Sequence, residues 1–139
     1  MNNKKAYIPS AIAAFCNAWF GIDFLLIRDL SGNFTYWFNV PQSTVDNLVG
    51  FLAVLAAVLI VLGLTCGREV VTRVGYISSG MSFLIFGMGF LLQAIFIRDN
   101  GIAAGAFSAA APGFTYGLLG VWMVITGTTE WGESVDPHQ

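Results

Sequence analysis

Asp23, in the stretch NAWFGIDFLLI, is an acidic residue inside a long apolar run. A carboxylate held in hydrocarbon is costly when charged and tied to pH when protonated, so it is a candidate for coupling a proton or an ion to transport. Asn17 lies six residues earlier, and Gln93 falls in another apolar run. Together the three would make a polar cluster inside an otherwise greasy fold. A blander alternative stands beside this one. Asp23 precedes Arg28 by five residues, about 7.5 Å along a helix, near enough to reach headgroups or to pair with that cation.

The remaining reactive residue types are sparse. Cys16 and Cys66 stand 50 residues apart with no CxxC partner, which removes zinc and dithiol chemistry. Cys16 is expected to be a small packing residue, and Cys66 at most an acylation site near the membrane surface. The one histidine, His138, is next to the last residue, so no bis-histidine haem site and no Cys-His or Ser-His-Asp set forms within the chain. There is no phosphate-binding G-x-x-x-x-G-K-[ST] loop and no basic stripe for nucleic acid. The sequence implies no cofactor, no metal and no nucleic-acid partner, and no catalysis by this chain alone.

The elements that must position these residues follow from composition. Of the 139 residues, 56 % are apolar and 10 % charged, and the mean hydropathy is +0.72; soluble domains carry roughly a quarter charged residues. Such a chain suits a bilayer, whose core of about 30 Å takes about 20 apolar residues per helix. Four stretches meet that length: 7–27, 48–66, 74–97 and 102–127. None has an internal Lys or Arg, and none alternates with the period of a barrel strand, so each is a helix whose amides pair within the segment. The expected fold is all-α, a single domain over 1–139 made of four transmembrane helices, with an aromatic loop at 28–47 and an acidic tail at 128–139. The run after Lys4 and Lys5 is too long for a signal peptide and lacks an A-x-A exit.

Basic residues set the orientation. With the N-terminus in the cytoplasm, Lys4, Lys5, Arg68 and Arg73 lie inside and Arg28 and Arg98 outside, which favours both termini inside. The expected location is a cytoplasmic membrane of a bacterium.

The tripeptide IRD occurs twice, at Ile27 to Asp29 and at Ile97 to Asp99, each closing an outward helix. Downstream, Pro41 can be set against Pro112, Thr44 against Thr115, and Gly50 against Gly120. Two copies in one orientation would be a parallel repeat of a helical hairpin. The alternative is that any outward helix needs a polar stop, for which an Arg beside an Asp serves.

The loop RDLSGNFTYWFNVPQSTVDN carries Phe34, Tyr36, Trp37 and Phe38, rings suited to the headgroup zone and to an interface. Ser43 and Asp46 have capping-box spacing and would start the second helix near Thr44. The NFT triplet at Asn33 fits a glycosylation sequon. In the fourth helix Gly113 and Gly117 form a GxxxG frame, a face built for close helix contact within the chain or with another subunit. Pro112 should loosen that helix. On the third helix Ser78, Ser79, Ser82, Gly87 and Gly89 read as packing residues, the hydroxyls satisfied by the preceding turn.

FNVPQSTVDNLVG (38–50) and GYISSGMSFLIFGMGFL (75–91) together resemble a family of small four-helix bacterial integral membrane proteins, over about half of the chain. In that family an F-x-V-N-P-x-H-N stretch leads into the second helix; here its histidine is absent, leaving Asp46 and Asn47 near the helix start. The resemblance implies the four-helix architecture and no activity.

Three functions are consistent with these residues. The leading expectation is a non-catalytic accessory or assembly subunit that lies in the lipid bilayer and packs against a larger membrane protein. The second is a homo-oligomeric transporter or channel using Asp23. The third is a chain that lends one wall to a partner's lipid or quinone pocket.

Overall fold

The computed structural model describes residues 4–26, 37–99 and 103–129. Among them the structure has four long helices and no strand: α1 (Lys4–Leu26), α2 (Gln42–Cys66), α3 (Glu69–Asp99) and α4 (Ala103–Thr128). All four are long and apolar enough to cross a membrane. The IRD copy at 27–29, Phe34, Tyr36, the NFT triplet and residues 130–139 of the tail lie outside the described residues.

Each helix packs antiparallel on the next in the chain, so α1 meets α2, α2 meets α3 and α3 meets α4. The turn between α2 and α3 shows why this hairpin is tight. Gly67 closes α2 in the left-handed conformation (φ 65, ψ 24), and the next amide, Arg68 N–H, reaches back 2.9 Å to the Gly63 carbonyl. That wide closing bond satisfies a carbonyl that the helix leaves open, and a residue without Cβ takes the conformation at no steric cost. Helix α3 then begins at Glu69.

Three helices begin before their apolar stretches, for one reason. Helix α1 begins at Lys4 rather than 7, α2 at Gln42 rather than 48 and close to the start expected near Thr44, and α3 at Glu69 rather than 74. Apolar length finds the part of a helix that fits hydrocarbon, whereas the hydrogen-bonded helix continues into polar residues. The capping box is also corrected. Pro41 is the N-cap and makes no side-chain cap bond, which leaves Ser43 inside the first turn. Asp46 is buried and accepts a bond of 3.0 Å from Gln42 Nε2. Helix α4 runs through Pro112 without a break.

Glycines set the helix spacing. A Cβ on Gly21 would stand 2.8 Å from the Gly50 carbonyl oxygen and 2.7 Å from a Val54 methyl, and one on Gly50 would meet Leu25. The α3–α4 pair repeats this geometry. A Cβ on Gly80 would lie 2.7 Å from the Gly120 oxygen and 2.6 Å from a Val124 methyl, and one on Gly120 would meet Leu84. One turn or two further on, Gly87 abuts Gly113 and Gly117, and Gly113 abuts Leu91. Helices α1 and α3 thus carry the same G-x-x-F-L pentad three times: GIDFL (21–25), GMSFL (80–84) and GMGFL (87–91). In each, glycine admits the neighbouring backbone and leucine, four residues on, covers the glycine opposite. Without a hydrophobic drive between helices in lipid, such close approach is how dispersion contacts accumulate.

The equivalence of Gly50 and Gly120, 70 residues apart like the two IRD copies, therefore holds in packing, but the IRD register does not carry that of Gly21 and Gly80. Gly21 and Gly80 are 59 residues apart and Gly50 and Gly120 are 70 apart, so no one offset superposes both hairpins.

Candidate functional site

Between α1 and α3 the helices are separated by side chains instead of glycines, and there the polar residues collect. Asn17 is 0 % exposed. Its Nδ2 donates to the Ala13 carbonyl at 2.8 Å, one turn back on α1, and its Oδ1 accepts from Ser79 Oγ of α3 at 2.8 Å. The same hydroxyl lies 2.8 Å from the sulfur of Met123 on α4. Seven residues before Asn17, Ser10 Oγ and Tyr76 Oη share a buried hydrogen bond of 3.1 Å. These pairs form a polar seam along one side of α1.

Two further serines tie α3 to α2. Ser78 Oγ donates to the Leu52 carbonyl at 2.8 Å, and Ser82 Oγ to the Val49 carbonyl at 2.9 Å. The expectation that these hydroxyls turn back on their own helix is thus corrected. All three serines face neighbouring helices, because at i, i+1 and i+4 on α3 they fall beside α1 and α2 at once.

Aromatic rings close the seam on the side of the α1–α2 connection. Phe20 packs on Phe24, Phe83 and Phe86 with ring centroids 4.8, 5.0 and 5.2 Å apart. Tyr116 of α4 lies 4.7 Å from Phe86, edge to face. Phe24 and Phe86 are both 2 % exposed. Such offset and edge-on stacking fills space and adds its own attraction.

Of the expected polar cluster of Asp23, Asn17 and Gln93, the structure does not bring Asn17 and Gln93 together. Asn17 is paired with Ser79, whereas Gln93 is fourteen residues further along α3, about 21 Å along its axis. Gln93 and Asp23 are both half-buried. Among the described residues, the buried acid is Asp46. A helix-start acid reads as a cap when hydropathy alone places the membrane, whereas burial and the bond from Gln42 mark this one otherwise. Gln42 Oε1 is itself buried with no partner among the described residues.

Cys16 is exposed instead of packed, and Cys66 is exposed as well. Gly87 and Gly113 lie between α3 and α4, so the GxxxG face is used within the chain, as is Gly117, whose amide nitrogen would be 2.7 Å from a Cβ on Gly87. Gly89 is buried, and Trp37 and Phe38 are exposed. At the far end of α3, Arg73 closes α4: its Nε donates to the Gly127 carbonyl at 2.9 Å and its Nη2 to the Thr128 carbonyl at 2.8 Å. A cation on the last carbonyls of a helix complements both their lone pairs and the helix dipole.

Hydroxyl, amide, phenol and thioether groups in this order contain no nucleophile–base pair. Among the described residues, no three of His, Cys, Asp and Glu gather to hold a metal ion. Compared with known proteins, the chain matches no family model, no curated protein and no solved structure.

Proposed function

We propose that this chain is a non-catalytic multi-pass membrane protein, an accessory or assembly subunit that packs against a larger membrane complex, with both termini in the cytoplasm. One observation carries the reading. Ser10, Asn17, Tyr76, Ser78, Ser79 and Ser82 are satisfied by one another or by helix carbonyls, and the Phe20, Phe24, Phe83 and Phe86 rings close the seam they form. A fully paired, plugged seam fixes which helix sits where, and it offers a moving ion no open ligand.

The surface for the partner is α1. Ile8, Ile12, Phe15 and Trp19 follow one another at steps of four, three and four residues, each more than half exposed. That spacing makes a straight apolar ridge of the kind that seats in the groove of a second helix. The Gly113 face, already filled by Gly87 and Leu91 of α3, is not the partner's.

The test is gentle extraction of the tagged protein, native mass spectrometry of the complex and identification of what co-purifies. A stoichiometric larger membrane protein whose recovery falls with Phe15→Ala and Trp19→Ala is the expected result. A homo-oligomer with no partner, together with proton-driven flux in liposomes, would replace this reading by the transporter that uses Asp23.

A further inference from the structure

Helices α1 and α2 touch at Gly21 and Gly50 and leave a groove where they run towards Lys4 and Cys66. The groove encloses about 530 Å³, is open along one side, and has an almost wholly apolar wall. Ala11, Ala14 and Ala18 of α1 and Ala57 of α2 line it, with Tyr7 and Thr65 towards its Lys4 and Cys66 end. Alanine explains the hollow: small residues let helices approach only where backbones can meet, and here the pin at Gly21 lies beyond the groove's inner end.

We propose that this groove holds one acyl chain of an anionic phospholipid. Its length suits one acyl chain. From Tyr7 to Ala18 is eleven residues, about 16 Å of helix, or half of a hydrocarbon core of about 30 Å. The groove is one leaflet deep.

Charge at the open end selects the headgroup. Lys4 and Lys5 begin α1 one turn before Tyr7, and Arg68, exposed, follows α2 one turn after Leu64 and Thr65. Among the described residues at this end of α1 and α2, the sequence sets Lys4, Lys5 and Arg68 against Glu69. Basic residues between helix ends on one side of a membrane bind anionic headgroups by this arrangement.

The experiment is native mass spectrometry of the purified full chain titrated with phosphatidylglycerol or phosphatidylcholine, with helix content checked by circular dichroism. One retained phosphatidylglycerol per chain is expected. Ala11→Trp, which fills the groove from its exposed side, should lower that occupancy at least about fivefold. Arg68→Gln lies outside the packed core and should lower the preference for phosphatidylglycerol by about fivefold, the worth of one basic residue near an anionic surface. Equal retention of both lipids by the native chain, or undiminished retention by Ala11→Trp, overturns the proposal. So does a photo-crosslinker at position 11 that captures a protein in place of lipid.

Discussion

The hydroxyl of Ser79 lies 2.8 Å from Asn17 Oδ1 and 2.8 Å from Met123 Sδ, so a single side chain of α3 ties α1 to α4. Glycine contacts fasten each helix to its chain neighbours. This hydroxyl, with the Phe20 and Tyr116 rings around it, joins helices that are not neighbours in the chain. It therefore governs closure of the bundle more than the stability of either hairpin.

A double-mutant cycle isolates that bond. Asn17→Leu and Ser79→Ala each remove one partner, and the coupling between them should be about 0.5–1.5 kcal/mol, the range for hydrogen bonds between membrane helices. Reversible unfolding in mixed micelles measures it. Additive effects of the two substitutions would mean that the seam contributes no pairing energy.

The glycines make a sharper prediction, because two members of one GxxxG frame should behave differently. A Cβ on Gly113 would meet Leu91 at 2.9 Å, and one on Gly87 would meet the Gly113 oxygen at 2.8 Å, whereas a Cβ on Gly117 meets nothing within 4 Å. Gly87→Ala and Gly113→Ala should therefore destabilise by about 1–3 kcal/mol through overpacking. Gly117→Ala should be neutral or slightly stabilising, since alanine is the better helix former. Thermal unfolding of the three variants decides it, and equal losses at 113 and 117 would contradict this packing.

The number of helices was legible from apolar length alone, and so was the closeness promised by Gly113. The direction of a side chain around the helix was not. Serines at 78, 79 and 82 have the same local chemistry whether they turn back on their own carbonyls or bond a neighbour, and only the position of α1 and α2 distinguishes the two. Cys16 illustrates the converse: its small size suggested packing, yet it follows Phe15 on the exposed side of α1. Asp46 was hidden by its place near a helix start, where acids are ordinary. The GxxFL pentads are present in plain sequence, but a pattern of glycine and leucine acquires meaning only when the facing glycine is known.

Arg73 gives a prediction at the opposite end of the bundle. Its two bonds to the Gly127 and Thr128 carbonyls need the planar fork of a guanidinium. Arg73→Gln should cost about 1 kcal/mol and fray the last turn of α4. Arg73→Lys should restore little of this, because an ammonium cannot span both oxygens in the same way. Hydrogen exchange at 125–128 reads the effect directly, and full protection in Arg73→Gln would show that the cap is dispensable.

Asp23 separates the two functional readings most cleanly. It occupies the third position of the GIDFL pentad, where the equivalent pentads have Ser82 and Gly89, so the fold requires no carboxylate at that place. Asn17, the buried amide six residues earlier, is already satisfied by Ser79 and does not await it. Asp23→Asn keeps the size and the hydrogen-bonding capacity of the side chain while removing its charge. Recovery of a membrane partner should be unaltered. Liposomes containing the native chain should conduct protons no faster than empty ones, and the variant should match them. Proton-coupled flux that is present in the native chain and lost in Asp23→Asn would reverse the assignment, because a carboxylate that must titrate cannot be replaced by an amide.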